Sequence, residues 1–194
     1  MRHSGRYALG LVPFLLMITF FSPAVSLDIP PDQQADLLVK ILGYNRTLLN
    51  KNTTSVRVGI IYCEDKLSVE TYQRLDESFY KLVLDDRKIG TKKLIFSGIA
   101  IKSESYLENT ASVLNVDVFV VTPGNDKNLL TIARVAEKLG ILTFSAIKEY
   151  VAMGLASGLE VKDGKPKIII NLPLAKAQGA NFKAELLSIA SVIE

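Results

Sequence analysis

The segment VDVFVVTPGNDKNLLTIARVAEKLGILTFS, Val116 to Ser145, contains one complete strand–helix–strand passage. Val116 to Val121 is an apolar run rich in β-branched residues, the pattern of a strand covered on both faces. It ends at Thr122-Pro123-Gly124-Asn125, a stretch of turn chemistry in which Asn125 is a candidate cap for the next helix. Leu129, Leu130, Ile132, Ala133, Val135, Ala136 and Leu139 then recur at helical spacing, and Gly140 supplies the left-handed residue that closes a helix. Ile141 to Ser145 is a second apolar strand. Two covered strands joined by a helix predict parallel pairing through a crossover.

The same alternation extends upstream. Val56 to Tyr62 reads as a buried strand, Ser68 to Val83 as an amphipathic helix, Leu94 to Ile101 as a strand, and Ser103 as the cap of a helix reaching Leu114. Before them, Asp32 is placed to cap a helix carrying Leu37, Leu38, Ile41 and Leu42, and polar residues 45–55 form a connection. Downstream the pattern changes. Leu155 to Val161 and Lys167 to Asn171 flank Lys162-Asp163-Gly164-Lys165-Pro166, and Asp-Gly is a strong hairpin signal. Phe182 to Ile193 predicts a closing helix, with Asn171 a hydrogen-bonding residue at the strand-to-helix junction. The expected fold is α/β: a mostly parallel sheet with helices on both faces and a C-terminal antiparallel hairpin at one edge.

At the N-terminus, Arg2 and Arg6 precede an apolar run from Tyr7 to Phe21, and Ala24 and Ser26 occupy the small-residue positions of an export cleavage site. The run is shorter than the roughly 18–20 residues that cross a bilayer, and Pro13 interrupts it. Residues 1–26 therefore read as a signal peptide and 27–194 as one exported, periplasmic domain. Cleavage removes two of the 23 cationic residues and none of the 20 acidic ones, leaving a formal charge of +1. A nucleic-acid footprint would need a clustered basic face, and Arg87-Lys88 and Lys92-Lys93 read as solvated loop charges.

The only histidine, His3, leaves with the signal, so the mature chain lacks Ser-His-Asp and Cys-His machinery and imidazole metal ligands. Cys63 is the only cysteine, which excludes an intrachain disulfide, and it reads as a small apolar residue at a strand end. Gly158 and Gly164-Lys165 fail as a phosphate loop, because five residues separate the glycines and Pro166 stands where Ser or Thr would be needed. No G-x-G-x-x-G follows the first strand. The expectation is a protein that is not an enzyme and uses no cofactor or metal. In an open α/β sheet, ligands sit beyond the carboxyl ends of the strands. That rule selects Thr122, Gly124, Asn125 and Ser145 as candidate ligand-binding residues, with turn and capping chemistry as the alternative reading. Two sequons, Asn45-Arg46-Thr47 and Asn52-Thr53-Thr54, matter only in a glycosylating host.

The last forty residues carry a resemblance. They hold a glycine-led strand from Gly154 through Gly158, the Asp163-Gly164 hairpin, the strand exit Ile170-Asn171-Leu172, an Ala-rich turn with Gly179, and Leu186-Leu187 in the closing helix. This resembles the YfiR family of periplasmic proteins, and the helix at Leu37–Leu42 and the strand at Val56–Tyr62 fall where that family has its first elements. Two departures stand out: the Trp-Pro after the first helix is absent, and so are paired cysteines, so the resemblance implies no redox control here. It implies a regulator that binds the extracytoplasmic region of a membrane signalling protein, a diguanylate cyclase, and limits cyclic di-GMP output and biofilm formation. It does not mark the partner surface on named residues. The rival expectation is a periplasmic small-ligand-binding domain similar to one lobe of a solute receptor.

Overall fold

The computed structural model describes residues 29–194; the expected signal peptide and its expected cleavage point after Ser26 lie outside the described residues. One eight-stranded sheet runs in the order β2-β3-β1-β4-β5-β6-β7-β8. Its parallel centre consists of β3 (Lys92–Ala100), β1 (Ser55–Tyr62), β4 (Val118–Val121), β5 (Leu142–Ser145) and β6 (Ser157–Lys162). The two-residue β2 (Lys88–Ile89) pairs antiparallel with Lys92 and Lys93 only, so residues 94–100 of β3 have no partner strand on their outer side among the described residues. At the other end β6 and β7 (Lys165–Asn171) form the antiparallel hairpin. Its turn has Asp163 and Gly164 both at positive φ, 53° and 71°, the geometry for which Asp-Gly is selected.

Period-two alternation on β1 divides the core. Val56, Val58 and Ile60 face one layer with Val118, Val120 and Phe144, while Ile61 faces the other with Phe119, Val121 and Ile99. The first layer is covered by α1 (Pro31–Leu42), α3 (Lys66–Leu84) and the C-terminal helices α7 (Leu172–Ala177) and α8 (Ala184–Ile189). The second is covered by α4 (Glu104–Leu114), α5 (Leu129–Leu139) and α6 (Lys148–Ala152). The mostly parallel sheet with helices on both faces and a C-terminal hairpin is thus the observed architecture.

Several local expectations change. Asp32 lies in the first turn of α1 while Pro30 takes the cap position, which leaves Pro31 where a missing N–H costs nothing. The helix expected from Ser68 begins at Lys66, and Asp65 caps it, accepting from the N–H groups of Leu67 and Ser68. Ser103 caps α4 as expected. Residues 45–55 include a short helix, α2 (Arg46–Asn50), and the helix expected over Phe182–Ile193 stops at Ile189. Ser191–Ile193 becomes β8, parallel to the end of β7. Lys88, Lys92 and Lys93 lie on strands, not in a solvated loop. Lys92 is buried, and its ammonium donates to the carbonyl oxygens of Lys51 and Thr53.

One seam ties the two ends of the described chain. Arg46 N–H donates to Asn181 O (2.7 Å), Lys183 N–H donates to Tyr44 O (2.9 Å), and the buried Asn45 Oδ1 accepts from Asn181 N–H (3.1 Å) and Thr47 N–H (3.1 Å).

Candidate functional site

The parallel strands β1, β4 and β5 end together, and all four candidate residues stand at that rim: Thr122, Gly124 and Asn125 after β4, and Ser145 at the end of β5. Thr122, Asn125 and Ser145 are fully buried and Gly124 is exposed. Ile61 O at the end of β1 accepts from Thr122 N–H (3.1 Å) and from Thr122 Oγ1 (3.0 Å). With that proton committed, the 2.6 Å contact between Ser68 and Thr122 has Ser68 Oγ donating, and Ser68 Oγ in turn accepts from Cys63 N–H. Asn125 Nδ2 donates to Thr122 O (3.1 Å), and Asn125 Oδ1 accepts from Asn128 Nδ2 (3.1 Å). Asn125 therefore turns its carboxamide inward and makes no helix-capping bond; a 3₁₀ turn, Asp126–Asn128, leads into α5 instead. Ser145 Oγ donates to Val121 O (2.9 Å) and accepts from Ile147 N–H (3.2 Å).

Residues that the strand-end rule did not select complete the rim. Tyr150 of α6 is buried; its hydroxyl accepts from Asn125 N–H (3.1 Å) and donates to Asp126 Oδ2 (3.0 Å). Asp65 lies against Gly124, where a Cβ would stand 2.9 Å from Asp65 Oδ1; with φ at +80°, that position takes glycine on both counts. Cys63 Sγ points to Gly124 O at 3.2 Å. The hydroxyl and amide groups of Thr122, Asn125 and Ser145 are thus bonded within the protein, and what the rim offers outward is Glu64, Asp65, Gly124, Asp126 and Lys127. No group of three or more His, Cys, Asp or Glu among the described residues is placed to hold a metal.

Burial first, then the hydrogen bond to Asp126 and its negative charge, raise the Tyr150 pKa well above the ordinary value near 10. A group whose folded pKa is raised favours the folded state fully below its unfolded pKa, and that contribution is lost as pH climbs from about 10 toward the folded value, because only the unfolded tyrosine ionises. Tyr150→Phe should therefore flatten the loss of stability above pH 10. Urea unfolding midpoints of both proteins between pH 8 and 11 measure this, and identical pH slopes would contradict the coupling.

Strands followed by crossover helices, with polar loops gathered where β1, β4 and β5 end, define an α/β fold with a mostly parallel sheet covered on both faces. Solved structures share this fold: an ABC domain in complex with L-Trp from Streptococcus pneumonia (TM-score 0.59, 14% identity, 85% of this chain and 62% of that one) and a conserved domain protein from Vibrio cholerae (0.58, 15%, 86% and 60%). A ligand-free, open substrate-binding protein with adhesive properties from Clostridium difficile does so too (0.56, 13%, 86% and 60%). This chain spans about 60% of their length. No curated protein matches it. The YfiR/HmsC-like family matches residues 34–191, and the chain belongs to that family.

Proposed function

We propose that this protein is a non-enzymatic periplasmic regulator, exported by cleavage after Ser26, that binds the extracytoplasmic region of a membrane diguanylate cyclase and restrains it. The observation that carries this reading is membership of the YfiR/HmsC-like family over residues 34–191. Two features support it. The buried hydroxyls and amide at the rim spend their hydrogen bonds within the protein, mostly on backbone carbonyls, which suits a protein that presents surface more than one that encloses a solute. Tyr80, Val83 and Leu84 are exposed together on the last turns of α3, and protein interfaces draw their energy from a few such apolar and aromatic anchors.

Deletion of the gene should raise cyclic di-GMP, and residues 27–194 should restore it when supplied with a signal but not when confined to the cytoplasm. The compartment control separates restraint across the membrane from an indirect effect. Unchanged cyclic di-GMP in the deletion strain, with no membrane partner crosslinked in intact cells, would remove the reading.

The likeness to substrate-binding proteins favours one alternative, a small-ligand-binding domain with Thr122, Gly124, Asn125 and Ser145 at its site. A chain spanning 60% of such a receptor supplies less than both walls of its cleft. Co-purification of a stoichiometric small molecule from the periplasm would move this alternative to first place.

A further inference from the structure

At the opposite end of the sheet, where β1 and β4 begin, lies an open cleft of about 480 Å³ that neither the rim nor the regulatory reading uses. Its walls are the loop Lys51–Ser55, Arg57 of β1, and Asn115 and Asp117 before β4. Every lining side chain is polar, whereas pockets for drug-like or cofactor-sized ligands are mostly apolar. An occupant that gains from this cleft gains by hydrogen bonds and charge.

The charges divide unevenly. Asp117 is buried, and both its oxygens are engaged: Lys51 Nζ donates to Oδ1 (2.6 Å) and Arg57 N–H to Oδ2 (2.8 Å). That carboxylate, which lines the cleft, is neutralised by Lys51. The Arg57 guanidinium has no carboxylate or carbonyl partner among the described residues, so the wall keeps an unspent positive fork. Lys92 adds a second cation behind the loop. Buried, it makes no ion pair among the described residues and holds the loop by the carbonyl oxygens of Lys51 and Thr53. Around an arginine that suits an oxyanion bidentately, the cleft offers the hydroxyls of Thr54 and Ser55 and the carboxamides of Asn52 and Asn115, whose Nδ2 has one proton on Val113 O (3.4 Å), while the Thr53 hydroxyl already donates to Ser55 O (3.0 Å). Those groups match a hydroxyl-rich body.

The geometry points to a binding site for a small polyhydroxylated anion, a sugar acid or sugar phosphate, with Arg57 taking the oxyanion and the Asn52–Ser55 loop and Asn115 taking the hydroxyls. The site is independent of the cyclase reading, because it is tested on the isolated protein.

Calorimetric titration of the purified protein at low ionic strength, with glucuronate, glucose 6-phosphate, glucose and inorganic phosphate as separate probes, tests it. Saturable binding of glucuronate or glucose 6-phosphate is expected, and the one that binds more tightly distinguishes the carboxylate from the phosphate. Arg57→Gln should weaken that binding at least tenfold without lowering the thermal midpoint, while Lys165→Gln in the distant hairpin should leave it unchanged. Absence of saturable binding by either anion, equal affinity in Arg57→Gln, or equal affinity for glucose would overturn the site. Binding of inorganic phosphate as tight as that of the sugar anions would overturn the assignment of the hydroxyl-rich body.

Discussion

Gly158→Ala should lose about 3 kcal/mol or more of stability, the upper end for overpacking, although it adds a single methyl group. A Cβ at Gly158 would stand 2.5 Å from Ser145 O and 2.6 Å from Val151 Cγ2. The first contact is with backbone, and that backbone belongs to the strand whose side-chain hydroxyl holds Val121 O and Ile147 N–H. Relief therefore requires β5 and β6 to separate where Ser145 and Gly158 are in register, and the displacement reaches the rim. For a chain of this size a loss of that order lowers the thermal midpoint by roughly 6–12 °C. Gly164→Ala is a useful contrast: its Cβ would meet nothing within 4 Å, so only its positive φ resists the change. Circular-dichroism melts of both variants decide the matter, and a Gly158→Ala midpoint within two or three degrees of the parent would show that the two strands yield easily.

Phe144→Ala should cost about 3–5 kcal/mol. Phe144 is fully buried on β5, in register with Val120 of β4 and Ser157 of β6, and its ring enters the layer beneath α1 and the C-terminal helices. Both flanking strands are held in the sheet, so the void collapses little and the cavity term is retained in full. Leu130→Ala provides the control. Leu130 falls at the helical spacing of the apolar stripe of α5, yet it is 71% exposed, and its truncation should change stability by less than about 0.5 kcal/mol. Denaturant unfolding with unchanged slope would place both effects in the folded state; a Phe144→Ala loss below about 1 kcal/mol would mean that the core reseals.

The difference between Phe144 and Leu130 marks what is legible in the sequence. Runs such as Val56–Tyr62 and Val116–Val121 declare covered strands because both faces are apolar, and Asp163-Gly164 and Gly140 declare their backbone conformations outright. Helix α5 is long enough for its period to show, but a stripe read from spacing has uncertain margins, and Leu130 lies outside the covered arc. Helices α2, α6 and α7 have five or six residues, too few for periodicity to register. Strands β2 and β8 exist only because a neighbour pairs with them. Lys92 looks solvated in sequence because nothing local reveals the carbonyl oxygens of residues 51 and 53, about forty positions earlier, that receive its ammonium. The rim shows the same division. Strand ends place Thr122, Gly124, Asn125 and Ser145 there, whereas Ser68, Asp126 and Tyr150 enter through contacts that only the fold creates.

The seam between residues 44–46 and 181–183 also sets a clock. Asn45 is the acceptor asparagine of a sequon, and in the finished protein its carboxamide is buried and bonded to Asn181, 136 residues later. A glycosyltransferase in a host that has one reaches Asn45 only in the interval before that later segment has been synthesised and docked. At ribosomal speeds of about 5–20 residues per second, that interval is roughly 7–30 seconds. Asn52, in the exposed loop, stays open after folding is complete. The ratio of sugar at the two asparagines would then record how promptly the two ends of the domain come together during secretion.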